Sequence, residues 1–468
     1  MKAFVTLVGL LLVVILPGIG ECQTANEVLG FSGNLQSNGG AMTLTQGRDG
    51  KLHGTTSGFD RTTMLDGTLF QVSTGGKVTT LHSFGGADGA FPIPGLTLAI
   101  DGNFYGTTVS GGSVDRGVLF KITTSGTYTL LHQFTGGADG QTPAQPIQAS
   151  DGNLYGATYS GTGPGGTIYK YSPSTGNFAT ILTLAQDGSQ GNQITSPLVQ
   201  ASDGSLYGVA AGYGANGCGT IFRLSTAGTL LSVYSFPCGA GGSTPYGALI
   251  QASDGNLYGI TAAGGTMTSK GECQSGCGTV FQVSHGIVSI LYRFAGYPSD
   301  GALALAGLVQ GTDGNLYGGT DKGGINDLGV LYQITLSGQY KLLYSFAQRI
   351  GAGANAALMQ HTNGKFYGNA SFGGRDSEGA IYSLDMGLGP FVALVRYTGR
   401  IGQPVQILGQ GLTGSTAVTI NGVAATTFKV VSDTYMTAVV PTGATTGPVV
   451  VTTATGTLTS NHNFRIVQ

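Results

Sequence analysis

DGNLYG, found at Asp151–Gly156, Asp254–Gly259 and Asp313–Gly318, is one of seven versions of a single phrase. The others are DGKLHG (Asp49–Gly54), DGNFYG (Asp101–Gly106), DGSLYG (Asp203–Gly208) and NGKFYG (Asn363–Gly368). Their starts are separated by 52, 50, 52, 51, 59 and 50 residues. A repeat of this length points to a solenoid, a propeller or an array. Asp-Gly or Asn-Gly between alternating apolar residues is also a strong hairpin signal, and predicts a type I′ turn at each copy. Each copy therefore implies one strand before the turn and one after it.

Two further phrases recur in step. GTVFQV at Gly278 returns as GTLFQV at Gly67, GVLFKI at Gly117, GTIYKY at Gly166, GTIFRL at Gly219, GVLYQI at Gly329 and GAIYSL at Gly379. IVSILYRF, ending at Phe294, returns as TTLHSF (Phe84), TLLHQF (Phe134), ATILTL (Leu184), LSVYSF (Phe236) and KLLYSF (Phe346). In the fifth repeat the pattern predicts strands at Ala248–Ala252, Asn256–Thr261, Gly278–Val283 and Ile287–Phe294. Four short antiparallel strands in about 50 residues are the pattern of a propeller blade. The seventh repeat lacks its fourth strand after Leu384, while Glu27–Phe31 (EVLGF) reads as a fourth strand with nothing before it. The expected fold is all-β: a seven-bladed β-propeller over residues 23–386, closed by the N-terminal strand, since closure removes exposed sheet edges.

Beyond Met386 the period stops, after a break at Gly387–Pro390. Short strands are expected at Val405–Leu408, Ala417–Ile420, Thr426–Val431, Thr437–Val440, Val449–Thr453 and Asn463–Val467. This reads as a small immunoglobulin-like β-sandwich over 387–468.

The composition excludes some functions. Charged residues make up 9% of the 468 and the formal net charge is −2, which leaves no electrostatic footprint for nucleic acid. Met1–Gly20 has the layout of a signal peptide: Lys2, then the apolar run Ala3–Leu16, then small residues at Gly18 and Gly20. Export is expected, with a leader over 1–22 and a secreted, cell-surface or periplasmic location. No later stretch is long and apolar enough to predict a membrane span. Cys218, Cys238, Cys273 and Cys277 remain once Cys22 is set aside. In an exported chain they favour disulfides, with a four-cysteine zinc site as the rival reading.

Strand alternation puts the Asp-Gly turns on one face and the longer loops between second and third strands on the other. The loop from each fourth strand to the next repeat lies on that second face too. Loops on a rigid scaffold are where function usually resides. Four aspartates there, Asp88, Asp139, Asp187 and Asp300, each stand in the loop after a fourth strand and suggest a partial ring of carboxylates near a central channel. As plain turn residues they need no ligand. Tyr159, Tyr213, Tyr246 and Tyr297 lie in or beside these loops and are candidates for stacking on a ligand. His82 and His132 fill the slot that Tyr234, Tyr292 and Tyr344 fill elsewhere, and His53 that of Tyr105 and Tyr155, which reads as packing. The turn aspartates are too far apart, one per repeat, to supply the six to eight oxygens of a calcium site. No catalytic motif, cofactor motif or metal set is read.

The LYSF, ADG, LIQASDGNLYG and GTVF phrases, over residues 27–385, resemble the bacterial GloVer tandem-repeat proteins, also called choice-of-anchor repeat proteins. The resemblance implies an exported propeller-like protein and assigns no catalytic residue. GQPVQILGQGLTG (Gly402–Gly414), VTINGVAATTF (Val418–Phe428) and VVPTGATTGPVVVTTATG (Val439–Gly456) resemble an IPT/TIG domain, which implies a spacer or interaction module. Three functions follow as expectations. The first is a non-catalytic binding or scaffold protein with a glycan or protein partner. The second is a polysaccharide hydrolase or lyase using loop carboxylates, and the third is a purely structural envelope component.

Overall fold

In the computed structural model, residues 25–31, 42–60, 65–163, 165–267, 273–375 and 377–467 are described. The expected leader and Cys22 lie outside them. Among the described residues the regular structure is β-strand, with one short 3₁₀ turn at Gly239–Gly241 and no α-helix.

Each repeat makes one antiparallel sheet in which the strands lie side by side in chain order. In the fifth repeat these are Ser243–Gln251, Leu257–Ala263, Thr279–Ser284 and Ile287–Arg293; the last three lie within two residues of the expected bounds, and the first begins five residues earlier. In the second and third repeats the first strand is split, so that Ala90–Pro92 and Thr97–Leu98 both pair with Phe104–Ser110. Strand Ala25–Gly30 pairs with Ala380–Leu384 of the seventh repeat. Its register shifts opposite Ile381/Tyr382, and the same third-strand step carries the shift in the pairs at Leu69/Phe70, Val280/Phe281 and Leu331/Tyr332.

The repeated phrase has a geometry that differs from the type I′ expectation. Gly102 N–H donates to Ala99 O and Ala99 N–H donates to Asn103 O, so two central residues are followed by a glycine in the left-handed region (Gly102, φ 85°). This is a three-residue loop with a bulge, and only the glycine has positive φ. The aspartate is retained for another reason. Its Oδ1 accepts the N–H two residues on, and its Oδ2 accepts the tyrosine hydroxyl four residues on: Asp101 with Asn103 and Tyr105, Asp254 with Asn256 and Tyr258, Asp313 with Asn315 and Tyr317. His53, in the tyrosine slot, puts Nε2 3.1 Å from Asp49 Oδ1.

The last glycine of the phrase serves packing. Gly259 pairs across the sheet with Phe281, and a Cβ there would lie 2.5 Å from Phe281 Cζ. Gly54, Gly106, Gly156, Gly208, Gly318 and Gly368 meet the ring of Phe70, Phe120, Tyr169, Phe222, Tyr332 and Tyr382 in the same way. These rings, all fully buried, fill the space between neighbouring sheets.

A second device joins the repeats. In most repeats a glutamine three residues before the turn Asp or Asn accepts a backbone N–H from the preceding repeat's turn: Gln148 from Ile100, Gln200 from Ser150, Gln251 from Ser202, Gln310 from Ser253 and Gln360 from Thr312. Gln46 of the first repeat accepts from Thr362 of the seventh, at 3.0 Å. Met42 N–H also donates to Asn369 Oδ1.

Residues after 386 form two four-stranded sheets and one parallel two-stranded pair around a separate apolar core that includes Val405, Ile407, Val418, Met436, Val449 and Val451. Strands Ala417–Ile420 and Val449–Thr453 match the expectation, and Phe428–Ser432 and Tyr435–Val439 lie within two residues of it.

Candidate functional site

The loops between second and third strands share a backbone in several repeats, although their sequences differ. Gly112, Gly214, Gly265, Gly324 and Gly374 donate their N–H groups to Gly86, Gly188, Gly239, Asp300 and Gln348 in the loop that follows the fourth strand. The two loop types therefore form one surface. Within them Asp115, Asp327 and Ser377 have φ of 56°, 54° and 64°. Asp115 Oδ1 accepts Gly111 N–H and Asp327 Oδ1 accepts Gly323 N–H, which closes each loop on itself. These carboxylates shape the scaffold.

Three of the four expected ring aspartates do likewise. Asp88 Oδ2 lies 2.8 Å from His82 Nε2, and its Oδ1 accepts Gly85 N–H. Asp139 Oδ2 lies 3.0 Å from His132 Nε2 and accepts Thr135 N–H. Asp300, 4% exposed, accepts the Tyr292 hydroxyl and the N–H groups of Ala295 and Gly301. In each case the loop carboxylate is tied to the aromatic of the fourth strand, at the edge of its sheet. These three carboxylates serve as the turn residues that the sequence also allows. Asp187 differs: it is exposed and accepts Ser189 N–H. The hydrogen bonds from Ser189 hold its carboxyl below the usual range.

The same bonds account for His82 and His132. His82 stacks on Tyr128 at 4.2 Å, His132 on Phe178 at 3.6 Å and Tyr292 on Tyr340 at 4.4 Å, each partner belonging to the next repeat. Burial holds the His132 imidazole below its ordinary pKa, against the opposing pull of Asp139.

Of the tyrosine candidates, Tyr213 and Tyr297 are 51% and 62% exposed. Tyr159 is half-buried, and Tyr246 packs against the apolar core shared by the fifth and sixth repeats. A Cβ on Gly188 would meet the Tyr213 ring, so Tyr213 lies beside the loop of Asp187, and Tyr297 stands three residues before Asp300 in the same loop. Four exposed side chains were not legible as candidates: Val114, Met267, Ile325 and Phe372. Their signal in the sequence is a large apolar residue inside an otherwise glycine-rich or polar loop. With Tyr213 and Tyr297 they make up most of the large apolar side chains exposed on the repeats; Leu231 and Ile287 lie toward the opposite face.

Acidic groups also meet here. Asp66 is pushed above its usual range by burial and then by Asp115 and Asp88. Asp321 is raised chiefly by burial, with Asp327 adding to it. No group of three or more metal-ligating side chains is found among the described residues. The cysteines form two disulfides, Cys218–Cys238 and Cys273–Cys277, with Cα separations of 5.5 and 4.6 Å. The zinc alternative is thereby set aside, and the pairing fits an oxidising compartment. No helix among the described residues is long and apolar enough to cross a membrane.

Sheets from tandem repeats, packed face to face through buried aromatic rings with loops gathered on one face, define an all-β, propeller-like repeat protein. The chain belongs to the Gloeobacter/Verrucomicrobia repeat family, whose model matches residues 38–271 and 265–415. No curated protein matches it in sequence. Among solved structures it is similar to hydrazine synthase of Kuenenia stuttgartiensis, at 12% identity and a TM-score of 0.50 over 75% of this chain and 96% of that one. An oligogalacturonate lyase in complex with manganese aligns at 13% identity and a TM-score of 0.47, over 74% and 89%. A fungal alcohol oxidase of the AA5 family, in complex with copper, aligns at 14% and 0.45, over 90% and 91%. At these identities the likeness concerns the fold alone.

Proposed function

We propose that this chain is an exported, non-catalytic binding scaffold whose loop face docks a protein partner. The observation that carries the reading is the placement of Val114, Tyr213, Met267, Tyr297, Ile325 and Phe372, all exposed in loops of that one face. Aromatic and Met side chains are enriched at the cores of protein interfaces. A glycan is the second reading, favoured by Tyr213 and Tyr297 as stacking surfaces. Hydrolysis gains less support, because Asp88, Asp139 and Asp300 spend their oxygens on strand-four aromatics and backbone N–H groups.

The same proposal takes the array as a closed seven-bladed propeller over 23–386, followed by an IPT/TIG-like sandwich and preceded by a cleaved leader. Closure is supported by the Ala25–Gly30 pairing, by its bulge in the position used by the first, second, third, fifth and sixth repeats, and by Gln46 reaching Thr362. A rigid ring suits docking, since loops held in place lose little freedom on binding.

The test is a pull-down from the envelope fraction together with a glycan array, using the full chain and a variant with Tyr213, Ile325 and Phe372 changed to Ser. The reading expects a protein captured by the parent and lost with the variant. Glycan binding lost with the same variant favours the second reading. Capture that survives the substitutions rejects the loop face as the site.

A further inference from the structure

Six junctions between repeats use the glutamine described above. The junction between the first and second repeats does not. The second repeat has Leu98 in the glutamine slot, and the first has Arg48 where Ser150, Ser202, Ser253, Thr312 and Thr362 stand in other turns. A glutamine amide accepts and donates at the same end, so it ties its own turn to its neighbour's. Gln310, for example, accepts from Ser253 N–H while donating to Ser253 Oγ and Gly314 O. Leu98 offers neither group.

The residues after 386 bridge the same two turns through other groups. Gln406 Nε2 donates to Ile100 O at 2.7 Å, and Gln406 Oε1 accepts from Arg48 Nη2 at 2.7 Å. The same Arg48 nitrogen donates to Ile100 O at 2.8 Å. Thr434 Oγ1 donates to Arg48 O, and the Arg48 guanidinium lies 4.6 Å from the centre of the Tyr435 ring. Gln410 Nε2 donates to Thr362 Oγ1 on the seventh repeat's turn. Gly50 lies so close to Thr434 that a Cβ there would be 2.6 Å from its methyl group. One unit thus touches the turns of the seventh, first and second repeats.

We infer that the turn face of these three repeats is a docking surface for the chain's own C-terminal unit, which acts as a clamp and replaces the absent repeat glutamine with Gln406. Arg48 and Leu98 are the two halves of that adaptation. Arg48 is long enough to reach both Ile100 and Gln406, and Leu98 leaves the space between the turns free of a competing amide. The clamp occupies the turn face at this junction, so an external partner has the loop face open to it. This holds whether or not the loop face binds a protein.

The test is hydrogen exchange on the full chain, read by peptide at residues 44–52, 96–104 and 358–366. In Q406A/T434A, exchange at 44–52 and 96–104 is expected to rise by roughly tenfold, with the turns at 148–153 and 251–256 unchanged. R48S/L98Q restores the common pairing. Added to Q406A/T434A, it is expected to return 44–52 and 96–104 to parent-like protection. Unchanged exchange in Q406A/T434A overturns the inference, and so does a failure of R48S/L98Q to restore protection in a folded chain. Circular dichroism establishes folding, and Q406A/T434A alone decides the matter should the fourfold variant not fold.

Discussion

Gly259→Ala adds one methyl group at a point where three atoms already stand too near. The new Cβ would lie 2.5 Å from Phe281 Cζ, 2.6 Å from Leu249 Cδ2 and 3.0 Å from Phe281 Cε2. Carbon atoms pack best at about 3.5–4.0 Å, so the overlap is roughly 1 Å at two atoms. Phe281 cannot retreat freely, because it is fully buried against Val209, Ile221, Phe236 and Leu249. Overpacking of this kind costs about 1–3 kcal/mol. The loss of chain freedom in the unfolded state returns about 0.4–1 kcal/mol. A net loss of about 0.5–2 kcal/mol is expected, read as a lower urea midpoint with an unchanged slope. Gly85→Ala is the control, because nothing lies within 4 Å of its Cβ position; it is expected to stay within about 0.5 kcal/mol of the parent. Adding Phe281→Leu to Gly259→Ala removes the clashing ring atoms, so the pair should be less destabilised than the sum of the two single changes. A Gly259→Ala chain as stable as the parent would refute the account of why every copy of the phrase ends in glycine.

Three further predictions follow from buried groups and crosslinks. Tyr169 is fully buried and its hydroxyl has no hydrogen-bond partner, so Tyr169→Phe is expected to raise stability by up to about 1 kcal/mol, measured in the same denaturation series. His132, His361 and His462 all have imidazoles held below 6.5 by burial, so the unfolded chain binds protons there that the folded chain refuses. Stability should therefore fall as pH drops below about 6.5. A second loss should follow below 3.8, where Asp49, partly desolvated yet held near 2 by His53 and Lys51 against that opposing effect, becomes protonated in the unfolded chain first. Thermal melts from pH 8 to pH 3 check both, and a flat profile contradicts them. Replacing Cys218 and Cys238 by Ala opens a loop with a sequence separation of 20, which is expected to cost about 3 kcal/mol in the midpoint analysis.

The sheets were legible in the sequence because their signals are local and repeated: alternating apolar residues, a turn glycine, and an aromatic three residues after the third-strand glycine. The turn type was misjudged because Asp-Gly is shared by two hairpin geometries. The one realised depends on the tyrosine four residues on, whose hydroxyl gives the carboxylate a second partner. The junction glutamine was equally visible, three residues before the turn Asp or Asn in six of the seven copies, but its role needs the neighbouring repeat about 50 residues away. The sequence allows the loop aspartates either a partial ring near a central channel or a plain turn role. Asp88, Asp139 and Asp300 turn to His82, His132 and Tyr292, because a carboxylate beside a half-buried aromatic with a polar tip satisfies both groups. The exposed apolar residues of the loop face escaped notice because a lone Val or Ile in a loop carries no pattern. Only the fold gathers them.

Closure of the ring is tested most directly by joining its two ends. Asn26 and Ser383 are register partners across the Ala25–Gly30 and Ala380–Leu384 pair. In the variant with both changed to Cys, mild oxidation at low protein concentration should produce a near-complete intramolecular crosslink, with peptide mapping placing residue 26 beside residue 383 and the fold unchanged by circular dichroism. A folded chain in which both thiols stay free, or join only between molecules, would contradict the closed ring.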